Sequence, residues 1–136
     1  MSEKAQIVSL GAATQTFGII LKTELYNECV SFYRDTLGLP VWYEKPSLVC
    51  LKFGDGYLMI ETGGMKRPGR KSDTENPTML RFNVEDVFAT AASLMEKGVA
   101  VKVKVFDWGT VGTFVDPDGN ACELKNADDP FFNLPD

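Results

Sequence analysis

The 136-residue chain contains no histidine. That removes the side chain most often used as a general base near neutral pH and the commonest ligand for zinc, nickel and iron. Any catalytic reading must therefore work with carboxylates, tyrosines, lysines, arginines and thiols. Cysteine is scarce as well: Cys29, Cys50 and Cys122 are odd in number, far apart and form no CxxC pair. This is the pattern of reduced, buried thiols in a cytoplasmic protein, not of a disulfide framework or a zinc site. No stretch approaches the ~18 consecutive apolar residues a membrane helix needs. Met1 to Ala5 carries both signs of charge and leads into no apolar run, so neither a membrane span nor a signal peptide is expected. Positive charge is also in deficit. A net charge of −5 argues against general affinity for nucleic acid, whose phosphates need a basic face. Among small molecules it favours cationic or neutral ones, although an acidic balance also serves solubility alone.

What is present is an ordinary globular mix, 44% hydrophobic and 24% charged, at a length that suits one domain spanning 1–136. Phe17 to Leu21 alternates as a strand. From Glu24 the period becomes helical, with Tyr26, Val30, Tyr33 and Leu37 on one stripe, and Gly38 followed by Pro40 ends it. Three short β-prone runs follow: Val41–Tyr43, Leu48–Phe53 and Tyr57–Thr62, the last two joined by Gly54-Asp55-Gly56. Residues 63–78 are rich in glycine, proline and charge and read as a mobile linker or lid, whose cluster Lys66, Arg67, Arg70 and Lys71 reads as a solvated loop.

Then the order repeats. Met79–Val84 is a strand; Val84, Phe88, Ala91, Ala92 and Met95 mark a helix stopped by Gly98; Val99–Phe106, Thr110–Val115 and Asn120–Leu124 are strands, the last two joined by Asp116-Pro117-Asp118-Gly119. Each half is strand, helix, three strands. The offset between first strands (Gly18 to Met79) is 61 residues and that between last strands (Glu61 to Glu123) is 62. An α+β domain of two βαβββ modules is expected: module 1 at about 17–62, module 2 at about 79–125, and a tail at 126–136 that packs on a groove or a partner through Phe131 and Phe132.

Three stretches carry a family resemblance. Cys29-Val-Ser-Phe-Tyr-Arg-Asp-Thr-Leu-Gly-Leu39 resembles a helix ending in an "FY…LGL" turn. Phe114-Val-Asp-Pro-Asp-Gly-Asn-Ala-Cys-Glu-Leu124 is similar to a "DPDGN.IEL" final hairpin, and Arg81-Phe-Asn-Val-Glu-Asp86 sits where a second module begins. Together they resemble the glyoxalase, bleomycin-resistance and extradiol dioxygenase (vicinal oxygen chelate) superfamily. That resemblance implies two paired modules forming a curved mixed β-sheet around a cleft. Strand parity then assigns the faces. Leu58, Ile60, Leu80, Phe82, Val84, Cys122 and Leu124 turn to the helices. Gly18, Ile20, Lys22, Tyr57, Met59, Glu61, Met79, Arg81, Asn83, Ala121 and Glu123 turn to the cleft, with Trp108 and Phe114 at its mouth.

Enzymes of that superfamily hold a divalent metal with one ligand from each of four strands. The resemblance places Gly18, Glu61, Met79 and Glu123 at those positions, so both imidazoles are replaced and two carboxylates remain. The expectation is a homodimeric protein that binds or sequesters a hydrophobic small molecule, cationic groups included, with no catalytic residues and no catalytic metal. Its ligand-binding residues are Gly18, Ile20, Tyr57, Met59, Glu61, Met79, Arg81, Trp108, Phe114 and Glu123, with Arg81 as a candidate partner for Glu61 and Gly18 making room. The alternative is a lyase, isomerase or dioxygenase using Mn or Mg on Glu61 and Glu123. A third reading is a module acting only through a protein partner.

Overall fold

The computed structural model describes residues 9–66 and 69–129. After a single turn α1 (Leu10–Ala13) come β1 (Gly18–Thr23), helix α2 (Tyr26–Val30) and, without a break, a wider π-helical stretch (Ser31–Thr36). The five-residue step is visible where the Leu37 amide donates to the Phe32 carbonyl at 2.8 Å. Then follow β2 (Val41–Lys45), β3 (Leu48–Phe53) and β4 (Gly56–Thr62). The second module is β5 (Leu80–Val84), α3 (Val87–Glu96), β6 (Lys102–Phe106), β7 (Gly109–Val115) and β8 (Ala121–Asn126).

Both modules form the same four-stranded mixed sheet. The orders are β1-β4-β3-β2 and β5-β8-β7-β6, with β1 parallel to β4 and β5 parallel to β8. The repeat expected from the sequence is therefore present in topology as well as in element order. One detail differs. The stripe of α3 that enters the core is Val87, Ala91 and Leu94, while Phe88 and Met95 stay exposed. Asp86 caps this helix by accepting from the Ala89 amide.

The two sheets turn their helix-side faces toward one shared core. Cys29, Val30, Tyr33, Val49, Leu51, Leu58 and Ile60 of module 1 pack in one cluster with Leu80, Val87, Leu94, Phe114, Cys122 and Leu124 of module 2. Rings bridge the modules: Phe53 stacks on Phe82 at 4.7 Å and Phe32 meets Phe114 at 6.2 Å. The opposite faces of the two sheets point away from this core, although on the second sheet Val111, Ala121, Glu123 and Lys125 of that face are buried. No helix among the described residues is long and apolar enough to cross a membrane.

A buried polar hub locks this arrangement. The Asp116 carboxylate accepts from the amides of Asp118 and Asn120 (2.9 Å each), from Asn120 Nδ2 (2.8 Å) and, across the module boundary, from the Tyr33 hydroxyl (2.7 Å). The linker is tied to the same turn. Lys71 Nζ donates to Asn120 Oδ1 at 2.9 Å and pairs with Asp118 Oδ2 at 3.2 Å, Asn76 Nδ2 donates to Asn120 Oδ1 at 3.0 Å, and the Lys71 amide donates to the Gly119 carbonyl. Lys71 thus has fixed partners, unlike the solvated loop residue expected, and residues 69–78 wall the molecule instead of hanging free. Gly119, at φ 79°, adopts the left-handed conformation and lies so close to Gly69 that any side chain there would collide with backbone.

Candidate functional site

The outward face of the first sheet is built by period-2 alternation. Parallel register sets Gly18 beside Tyr57, Ile20 beside Met59 and Lys22 beside Glu61, and β3 adds Leu48, Cys50 and Lys52. Gly18 does not open space for a ligand. A methyl group at this position would overlap the Tyr57 ring, so the missing side chain seats Tyr57 over β1. Tyr57 in turn meets Trp42 edge to face at 5.8 Å, and Trp42 meets Tyr43 at 5.8 Å. The register between β2 and β3 shifts between Val41 and Tyr43, a bulge of the kind that re-aims side chains. The result is an aromatic shelf, Trp42–Tyr43–Tyr57, whose Trp42 is 53% exposed. A hollow of about 400 Å³ lies beside it, lined by Trp42, Lys52 and Asp55. At the other end of β4, Glu61 faces Lys22 with 3.9 Å between Oε1 and Nζ.

On the second sheet Glu123 is buried and held by Arg81, Nε to Oε1 at 2.7 Å. Arg81 is thus the partner of Glu123, where Glu61 was the candidate from the sequence. Thr113 lies across from Glu123, and Asn83 shares this face with Lys125. Lys125 is buried, bonded to Asp129 and placed over the Trp108 ring at 5.1 Å, and Trp108 stacks on Phe106 at 4.9 Å. Ala121 is buried on this face.

Two expected positions are corrected. Phe114 is not at the mouth: its register with Cys122 turns it into the core against Phe82 and Phe32. Met79 precedes β5 and is 41% exposed, so no strand fixes its orientation. Phe131 and Phe132 lie outside the described residues. Glu61 and Glu123 sit on the outward faces of separate sheets; a hollow of about 450 Å³ reaches from one sheet to the other, lined by Ile20 and Lys22 of β1 and by Ala121 of β8. Trp42, Tyr43, Thr113 and Lys125 join these faces although the sequence reading did not select them. Strand parity on β8 would have found Lys125, whereas Thr113 lies on β7, which shows no polar alternation, and the bulge that positions Trp42 has no sequence signal.

The four positions that ligate metal in related enzymes were tested against this geometry. Gly18 supplies no donor. It is four residues from the register position of Glu61, or ~13 Å along the strands at ~3.3 Å per residue. Met79 is off the strand, and each carboxylate is engaged by a cation of its own. Among the described residues no group of three acidic or thiol side chains converges. These residues do not fit a divalent metal within one chain. The thiols are equally unsuited to chemistry. Burial, helped by the Asp116 charge, pushes Cys29 up to about 11, and burial pushes Cys122 up to about 12, which keeps both protonated and inert. Burial drives the Tyr33 hydroxyl far upward, so it stays a donor.

Residues 19–124, from within β1 to within β8, match the family described as the Glyoxalase/Bleomycin resistance protein/Dioxygenase superfamily. The chain belongs to that superfamily. The uncharacterized protein YraH of Bacillus subtilis (strain 168) is 31% identical over 112 residues, covering 73% of this chain and 88% of YraH. Among solved structures, SMU.1112c superposes with a TM-score of 0.69 at 27% identity over 84% of this chain and 99% of that one. TnmS3, an antibiotic binding protein from Streptomyces sp. CB03234, does so with a TM-score of 0.63 at 26% identity over 85% and 97%. Membership in the superfamily fixes the architecture and leaves the chemistry to the individual site, since one fold hosts many functions.

Proposed function

We propose that this superfamily member is a cytoplasmic homodimer that binds and sequesters a hydrophobic small molecule without a catalytic metal. The observation that carries the reading is that both surviving carboxylates are already paired, Glu61 with Lys22 and Glu123 with Arg81, beside outward faces that expose Trp42, Tyr43, Ile20 and Trp108. Glu123, hydrogen-bonded to Arg81, is a poor metal ligand, Glu61 faces the more exposed Lys22 at 3.9 Å, and neither demands a cationic guest. Exposed aromatic and apolar side chains with a few charged groups among them suit one wall of a small-molecule site. The antibiotic-binding neighbour TnmS3 supports the same reading.

The second copy follows from the strand edges. The Phe17 carbonyl accepts from the Tyr57 amide and the Thr23 carbonyl from the Gly63 amide, so the odd residues of β1 bond to β4. Gly18, Ile20 and Lys22 are left with backbone groups on the free edge. On β5 the Val84 carbonyl accepts from Ala127, which leaves Arg81 and Asn83 on its free edge. Unpaired edges of this kind are ready to pair. A two-fold that lays β5 of one copy beside β1 of the other joins two outward faces into one cleft and covers both edges.

Light scattering and a thermal-shift screen on protein purified without chelator, combined with elemental analysis, test the proposal. A dimer that is stabilised by apolar compounds and carries metal far below stoichiometry is the expected result. Stoichiometric Mn, Ni, Zn or Fe that disappears in Glu123→Gln would instead establish the metal-dependent lyase, isomerase or dioxygenase reading. A monomer stabilised by no compound would point to a module that works through a protein partner.

A further inference from the structure

The strand residues on the two outward faces separate charge sharply. The first face carries Lys22, Lys45 and Lys52, and the second carries Arg81, Lys102, Lys104 and Lys125. That is half of the 14 lysines and arginines in the chain, against two of its 19 acids, Glu61 and Glu123. An acidic protein thus presents two basic faces. Glu61, Glu123 and Asp129 compensate Lys22, Arg81 and Lys125. Lys45, Lys52, Lys102 and Lys104 have no ion-pair partner among the described residues, and all four are exposed.

From this segregation we infer that the ligand is a flat aromatic anion, stacked on Trp42 with its acidic group toward Lys52. The inference rests on the small-molecule reading of the same site and names its ligand class. Trp42 supplies a ring already steadied edge-on by Tyr43 and Tyr57, so stacking costs it little further ordering. Lys52 shares a hollow of about 400 Å³ with Trp42, within reach of one guest. Asp55 lines the same hollow and disfavours a guest whose charge spreads over its whole edge, which selects a ligand with one localised acid. Along the two strand faces a cationic group would meet Lys45, Lys52, Lys102 and Lys104, while the strand carboxylates Glu61 and Glu123 already face Lys22 and Arg81; in the hollow itself Lys52 is accompanied by Asp55 of the turn.

Calorimetric titration with three isosteric probes tests the inference: 2-naphthoate, 2-naphthamide and 2-naphthylmethylammonium. At about 0.1 M salt, naphthoate should bind about tenfold more tightly than the ammonium probe, the amide falling between them. Lys52→Gln should remove about fivefold of the naphthoate affinity and leave the amide unchanged, while Lys52→Arg restores it. Trp42→Ala should weaken all three probes by about tenfold. An ammonium probe that equals or beats naphthoate overturns the anion assignment and leaves small-molecule binding standing. So does an acid preference that survives Lys52→Gln. Failure of all three probes, while other apolar compounds bind, overturns the flat-aromatic class. A single-stranded oligonucleotide that displaces naphthoate at lower concentration overturns the inference in favour of nucleic acid. If no compound of any kind binds, the small-molecule reading falls with it.

Discussion

Removing the Tyr33 hydroxyl is the cleanest probe of how the two modules are joined. Tyr33 is wholly buried, and its hydroxyl donates to Asp116 Oδ2 at 2.7 Å across the module boundary. A hydrogen bond to a charged group contributes ~1.5–3 kcal/mol. In Tyr33→Phe the carboxylate is not orphaned, because Asn120 Nδ2 still donates to Oδ2 and two amides still donate to Oδ1. The cost should therefore lie in the lower half of that range, ~2 kcal/mol. Asp116→Ala strands all four donors and should cost ~4 kcal/mol or more. The diagnostic step is the double mutant: with Asp116 gone, only the weak Cys122 Sγ acceptor at 3.6 Å is left to the buried hydroxyl of Tyr33, so adding Tyr33→Phe to Asp116→Ala should cost little or recover stability. Urea unfolding followed by circular dichroism measures this, with Tyr33→Phe moving the midpoint down by about 1 M at an ordinary slope for this size. If Tyr33→Phe costs below ~0.5 kcal/mol, or the same in both backgrounds, the hub does not join the modules in the way described.

Three further outcomes follow from the same contacts. Gly18→Ala should destabilise by ~1–3 kcal/mol through overlap with the Tyr57 ring, and the penalty should vanish in a Tyr57→Ala background, measured by the same unfolding assay. Lys71→Met takes the ammonium from Asp118, a buried carboxylate whose Oδ1 already lacks a hydrogen bond; it should cost ~1–3 kcal/mol and speed proteolysis between residues 63 and 78, seen by mass spectrometry of the fragments. Cys29 and Cys122 are raised to about 11 and about 12 from an ordinary 9.0. With folded values above the unfolded one, their stabilising effect is complete below about pH 9 and is lost as pH rises toward the folded values. The urea midpoint should therefore decline from pH 9 upward, with a shallower slope in Cys122→Ala.

Much of this architecture was legible in the sequence because alternation is strict where one face of a strand is buried and the other is wet. β4 reads Tyr57, Met59 and Glu61 against Leu58 and Ile60, and the register confirms that split. β7 gave no such guide. Gly109-Thr-Val-Gly-Thr-Phe-Val115 is buried along most of its length on both faces, so its parity cannot be read from polarity, and Phe114 was assigned to the wrong side. The direction in which the two sheets face was hidden for a different reason. A βαβββ module has the same pattern whether its helix side packs on the other module or turns to solvent. The deciding contacts, Tyr33 with Asp116 and Phe53 with Phe82, join residues 83 and 29 positions apart and have no local signature. Lys71 illustrates the same limit. A lysine in a glycine-rich loop looks solvated until the fold brings a buried turn against it.

The charge pattern makes one more prediction, because its two length scales oppose each other. At a distance, an anionic ligand meets a chain of net charge −5 and is repelled. At contact it meets Lys52, with Asp55 lining the same hollow. Which effect dominates depends on screening, whose range is ~30 Å at 0.01 M salt, ~10 Å at 0.1 M and ~3 Å at 1 M. At the lowest salt the whole chain is felt and long-range repulsion offsets local attraction. At the middle value the distant acids are screened while Lys52 is still felt across its hollow. At the highest, even that contact fades and only stacking on Trp42 is left. The preference of the site for naphthoate over naphthamide should therefore pass through a maximum near 0.1 M. A local basic site on a neutral or basic protein would instead lose preference steadily as salt is added. A monotonic decline from 0.01 M would mean that the remaining acids are too far away to matter. A preference independent of salt would mean that the acid group never meets a lysine at all.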